Sequence, residues 1–118
     1  MITSQRAVTV TEATFDSAVL QARLPVLVDF WAEWCPPCRW LDPVLEELAA
    51  DQAGRLLLAK VDADENPRLV RRYGTFALPS LLLFVDGVER ARIVGARPKR
   101  RLLTELSEVL PGLQPPGH

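Results

Sequence analysis

The sequence is poor in the residues that build metal centres and disulfide frameworks: its 118 positions hold two cysteines and one histidine. A four-ligand zinc site would need carboxylates or a second chain to complete it. A chain of this length buries a core without covalent staples, so the cysteines are not required to hold the fold. Charge of one sign is also missing. The 14 Lys and Arg against 15 Asp and Glu leave a formal −1, which excludes a domain-wide nucleic-acid footprint. No apolar run reaches the roughly 18 residues that span a bilayer, so no membrane partner is expected. The opening MITSQRAVTVTEATF lacks the apolar stretch of about 7–15 residues of a secretory signal. The compartment expected on that ground is the cytoplasm, where thiols stay reduced and a CxxC reads as catalytic or metal-binding before structural.

What remains is an ordinary globular composition, 48% hydrophobic and 25% charged, with no internal repeat and no long linker. The expected organisation is an N-terminal extension at 1–7, one domain over 8–111, and a flexible Pro/Gly-rich tail over 112–118. Ala7 to Val10 is a candidate strand. Thr14 is placed to cap a helix with Phe15, Ala18, Val19 and Ala22 on one face. Val26, Leu27, Val28, Phe30 and Trp31 read as a strand buried on both faces, with Asp29 interrupting it. Pro36 and Pro37 suit the first turn of a helix that carries Leu41, Val44, Leu45 and Leu48 inward and should kink at Pro43.

Leu56 to Val61 is a further strand, with Lys60 embedded. Asn66-Pro67 opens a short helix that Gly74 stops. Leu81 to Val85, the turn Asp86-Gly87, and Val88 to Val94 read as a hairpin. Pro98 opens a last helix reaching Leu110. The order βαβαβαββα predicts an α/β fold, a central mixed sheet with helices on both faces. Arg90, Arg92, Arg97, Lys99, Arg100 and Arg101 crowd into one segment, as a solvated face or a patch for acidic partners.

Chemistry concentrates at Trp34-Cys35-Pro36-Pro37-Cys38, between a buried strand and a helix. A thiol at a helix N-terminus meets unpaired N–H groups and the positive end of the dipole, and both favour thiolate. In such settings a Cys pKa of about 8.5 falls to roughly 7 or below. Cys35 is the expected exposed nucleophile, and Cys38, one turn along and more buried, the resolving thiol. Half a zinc site is the competing reading of the pair.

The stretch from Val28 to Arg39 resembles the active-site segment of the thioredoxin family. The resemblance continues through Pro43, Ala59-Lys60-Val61-Asp62, Asn66-Pro67, Tyr73-Gly74, Leu78-Pro79-Ser80 to Phe84, Asp86-Gly87 and Gly95, and covers about residues 8–110. It implies the thioredoxin-like fold and a protein dithiol–disulfide oxidoreductase that reduces protein disulfides through a Cys35–Cys38 cycle, without a bound cofactor or metal. The implied partners are disulfide-containing proteins and a flavin- and NADPH-dependent thioredoxin reductase, and the chain would act as a monomer.

Residue by residue, the resemblance makes Asp29 a buried acid that accepts the Cys38 proton and Lys60 the lysine that faces it. A satisfied buried hydrogen bond is the plainer reading of Asp29. Pro79 corresponds to the family's cis-proline, although sequence alone would assign it trans. Trp34, Leu78, Pro79, Val94 and Gly95 would line a flat apolar surface that pairs with extended peptides; simple packing is the alternative for Trp34. Two departures stand out. Pro36 replaces the usual Gly, which removes a backbone donor, stiffens the loop and bears with Pro37 on redox tuning. Phe76-Ala77 replaces a more typical polar-Gly pair beside the docking surface. A binding module without turnover and a zinc-bridged dimer are the readings from other functional classes.

Overall fold

Five strands form one sheet: β1 (Ala7–Thr9), β2 (Val26–Trp31), β3 (Leu57–Asp62), β4 (Ser80–Val85) and β5 (Val88–Val94). Their spatial order is β1-β3-β2-β4-β5, so the apolar run at Val26 takes the central position. β1, β3 and β2 run parallel, β4 is antiparallel to β2, and β5 is antiparallel to β4. The helices are α1 (Pro36–Asp51), α2 (Pro67–Tyr73) and α3 (Lys99–Ser107). The computed structural model describes residues 7–113. The α/β class and the mixed sheet between helical layers are those expected from the element order.

Strand parity sorts the core into two layers. Val26, Val28 and Phe30 of β2 point to one side, with Phe15, Val19, Leu69 and Phe84. Leu27 points to the other, onto Leu41, Leu45 and Leu48 of α1 and Leu102, Leu103 and Leu106 of α3. Each fully buried Leu or Phe contributes about 1.5–3 kcal/mol relative to exposure. Asp29 has the parity of Leu27, and Lys60 that of Leu58, so both face the α1 layer. The register sets them side by side on β2 and β3.

Several local expectations are modified. The first helix is a single π-helical turn, Asp16–Leu20, closed by the Gln21 amide donating to the Asp16 carbonyl at 2.9 Å. Thr14 does not cap it, because its hydroxyl oxygen turns back to accept the Thr11 amide at 3.0 Å. Asn66 sits at the N-cap of α2 without a capping bond. Its side chain instead accepts from the Glu12 amide and donates to the Asp62 carbonyl, both at 2.9 Å. Glu12 replaces it, accepting the Arg68 amide at 2.7 Å.

α1 continues through Pro43 to Asp51. α3 stops at Ser107, while Val109 and Leu110 still pack on the core from the following turn. Ala7 lies in β1 and Leu113 is buried, so the packing includes at least one residue of the expected extension and reaches at least two residues into the expected tail. The rest of the proposed extension and tail lies outside the described residues.

The hairpin turn falls where expected, with Asp86 and Gly87 both at positive φ, 52° and 79°. The basic segment is largely neutralised: Arg92 pairs with Glu89, Arg97 and Arg101 with Glu105, and Lys99 with Glu47 and Asp51. A solvated, carboxylate-paired face therefore describes it better than a patch awaiting acidic partners.

Candidate active site

β2 ends at Trp31, and the chain reverses into α1 within a few residues. Cys35 is the N-cap residue, with extended backbone angles (φ −100°, ψ 105°), and Pro36 and Pro37 occupy the first turn. The prolines lack amide hydrogens, so the Cys38 N–H is the donor left to the cap, and it donates to Cys35 Sγ at 3.3 Å. Cys35 and Cys38 are joined as a disulfide, with their Cα atoms 5.3 Å apart. The pair packs against Ala32, Trp31 and Leu78.

The expected difference in exposure is not found in this oxidised form. Cys35 is 3% exposed and Cys38 5%. Both sulfurs pack against the same apolar wall of Ala32, Trp31 and Leu78, which covers Cys35 as fully as Cys38. Cys38 instead borders a cavity of about 260 Å³ lined also by Asp29, Trp31, Arg39, Asp42 and Lys60.

Asp29 sits in this cavity, 3% exposed, and its Oδ1 has no hydrogen-bond partner. Burial without a hydrogen bond favours the neutral acid and raises its pKa from 3.8 to about 7, a rise that the nearby Lys60 charge moderates. Lys60 shares the cavity, but its Nζ is paired with Asp42 Oδ1 and lies 3.4 Å from Glu46 Oε2. The expected partnership with Asp29 is thus one of register and through-space charge, and the salt bridge goes to α1. Burial lowers the Lys60 pKa, and the Asp29 carboxylate opposes that shift.

On the opposite side of the disulfide, the Leu78–Pro79 peptide is cis, as the family resemblance required and the local sequence did not. Pro79 itself is buried, so it supports the surface from beneath. Its carbonyl accepts the Gly95 amide at 2.8 Å, which ties the two loops together. Gly95 has φ +99°, and Val94 beside it is exposed. Arg97 fastens this corner, donating to the carbonyls of Val94 and Gly95 at 3.0 and 3.3 Å.

Trp34 is 66% exposed and Phe76 72%, and they flank a shallow depression that includes Leu78, Val70 and Arg71. Trp34 is held there by its indole N–H, which donates to Asp64 Oδ2 at 2.8 Å. Simple packing therefore does not describe Trp34.

Sequence reasoning passed over Asp42, Glu46 and Asp64, and placed Arg97 only in the basic segment. For the first two a signal existed: Cys38, Asp42 and Glu46 recur every four residues and share one stripe of α1. Asp64 binds Trp34, 30 positions away, which the sequence does not bring near it, whereas Arg97 binds carbonyls only two and three residues before it, a local contact that the residue pattern does not announce.

A family model described as Thioredoxin matches residues 6–108. The chain belongs to the thioredoxin family. The thioredoxin of Mycobacterium tuberculosis is 49% identical over 115 residues, 96% of this chain and 99% of that protein. Thioredoxin 1 of Synechococcus elongatus is 44% identical, covering 88% of this chain and 97% of its own length. A bifunctional thioredoxin reductase/thioredoxin of Mycobacterium leprae is 48% identical over 88% of this chain, which corresponds to 23% of that larger protein. This family member is a protein dithiol–disulfide oxidoreductase whose redox pair is Cys35 and Cys38. Among the described residues no helix is long and apolar enough to cross a membrane.

Proposed function

We propose that this member of the thioredoxin family runs in the reducing direction as a monomer in the cytoplasm, recharged by a flavin- and NADPH-dependent thioredoxin reductase. The fusion named for the Mycobacterium leprae relative supports a reductase as the electron source. In the cycle, the Cys35 thiolate attacks one sulfur of a target disulfide. That S–S bond breaks, a mixed disulfide forms, and the released target thiolate takes a proton. Cys38 then gives its proton to Asp29 and its thiolate attacks Cys35 Sγ; the mixed disulfide breaks, the second target sulfur leaves as a thiolate, and it takes up a proton to become the thiol. The target gains two electrons and the pair leaves as the Cys35–Cys38 disulfide.

The observation that carries this reading is the position of Cys35 at the N-cap of α1, its sulfur accepting the Cys38 amide while Cys38 opens onto the Asp29 cavity. A negative sulfur is stabilised there by the amide and by the helix dipole. Trp34, Leu78, Val94 and Gly95 form the docking face over the cis-Pro79 loop. Leu78 offers backbone groups to an extended peptide, a mode that tolerates many sequences. Pro36 and Pro37 tune the pair by leaving Cys38 as the amide donor at the helix start.

Equilibration of the pair against glutathione tests the direction. A potential near about −270 mV supports a reductant, and one near about −120 mV reverses the assignment. Insulin reduction with dithiothreitol tests the chemistry, and full activity in Cys35→Ser would remove the proposed nucleophile.

A further inference from the structure

The Lys60 ammonium faces a choice between two carboxylates. Its strand register places it beside Asp29, and its ion pairs are with Asp42 and Glu46. The groups around the Asp29 cavity are few. β3 supplies Lys60, and α1 supplies Cys38, Arg39 and Asp42, with Glu46 one turn further. The Arg39 guanidinium is turned away and donates twice to the Glu33 carbonyl, at 3.0 and 3.2 Å. β4 places Leu81 opposite Asp29, and α3 packs this face with Leu102, Leu103 and Leu106, all apolar. Lys60 is therefore the cation that the register brings beside Asp29, and its ion pairs hold it to α1.

We propose that Asp42 is a positioning residue: it keeps the Lys60 ammonium on the α1 side of the cavity and thereby sets the protonation state of Asp29. Two effects act in the same direction. The Asp42 carboxylate is a like charge lining the same cavity as Asp29, and it also occupies the cation that would otherwise stabilise ionised Asp29. Both hold the proton on Asp29. Removing the Asp42 charge lets Lys60 swing towards Asp29 and favours the carboxylate. Asp42 has a half-exposed side chain and lies off the core, so its substitution does not threaten the fold. The consequence for turnover rests on the reading of Asp29 as acceptor of the Cys38 proton; the electrostatic claim itself does not.

The test follows the Asp29 carboxyl carbon directly by NMR titration of the reduced protein. Asp42→Asn should lower the Asp29 midpoint by about one pH unit, and Asp42→Glu should hold it near the wild-type value. In a Lys60→Met background the Asp42→Asn shift should shrink to less than half. An unmoved midpoint in Asp42→Asn overturns the proposal. An equal shift with and without Lys60 also overturns it, since Asp42 would then act by its own charge alone. The pH profile of mixed-disulfide resolution, measured in parallel, separates the two readings. If the midpoint moves and the profile does not, Asp29 is not the proton acceptor, and the hold of Asp42 on Lys60 stands.

Discussion

Asp29 and Lys60 are register partners on adjacent parallel strands, yet the lysine makes its ion pairs with α1 and leaves the Asp29 Oδ1 without a hydrogen bond. A buried acid in that situation keeps its proton up to about pH 7. Near neutrality Asp29 is therefore divided between its neutral and ionised forms beside Cys38, able to release or take up a proton within the range where thiols ionise.

Stability should carry the sign of that shift. The folded pKa of Asp29 is raised, from 3.8 to about 7, so between those values the folded state holds a proton that the unfolded chain has lost. Stability from this group is fully present below about pH 4, declines as pH rises, and is lost above about pH 7. Asp29→Asn removes the penalty. Denaturant melts should show it more stable than wild type at pH 8, by up to about 4 kcal/mol, with the gain vanishing at pH 4. A gain independent of pH would contradict the raised pKa.

Cys38→Ser should arrest the cycle at the mixed disulfide. The Cys35 thiolate can still attack, but no second thiol stands one turn along α1 to release the target. Incubation with a disulfide-bonded protein should accumulate a covalent adduct that dithiothreitol reverses, and turnover in the insulin assay should fall to background. Mass spectrometry of the adduct should place the bond on Cys35.

Phe76 offers a test of docking separate from stability. It is 72% exposed across the depression from Trp34, so its removal leaves the core intact. Phe76→Ser should leave thermal stability within about 0.5 kcal/mol while raising KM for protein disulfides by up to about tenfold. Reduction of a small aromatic disulfide should change far less.

Gly87 should be the least replaceable of the described glycines. It has φ +79°, and a Cβ there would lie 2.8 Å from the Leu20 carbonyl oxygen. Gly74 also has positive φ, at 66°, but its nearest neighbour would be Arg92 Nη1 at 3.9 Å. Gly74→Ala should therefore cost only the backbone penalty, about 1–2 kcal/mol. Gly87→Ala adds displacement of the Asp16–Leu20 turn, and its melting temperature should fall clearly further.

Much of this molecule was legible wherever the governing interactions are local. Val26 to Val28 announce a central strand because such a run must be covered on both faces. Pro36-Pro37 announce a helix start because proline lacks the donor that a first turn leaves unpaired anyway. Asp86-Gly87 announce a hairpin because both residues tolerate positive φ. Cys35 and Cys38 stood out as a redox pair because three-residue spacing at a helix start brings two sulfurs together. Each of these rests on chemistry within a few residues.

Partner choice was decided by the tertiary structure. Asn66 caps nothing and binds Glu12, 54 positions away, because β1 and β3 lie side by side. Cys35 is buried because Trp31 and Leu78 close over the disulfide from separate elements. Lys60 belongs to Asp42 and Glu46 because strand parity turns it, with Asp29, towards α1, whose four-residue repeat brings two carboxylates to meet it. Chain order alone settled the redox pair and the approximate place of most strands and helices, though not the single turn at Asp16–Leu20. Only the packing of α1 against β2 and β3 decided which charges share the cavity, because electrostatic and hydrogen-bond energies depend on distances that the chain order does not specify.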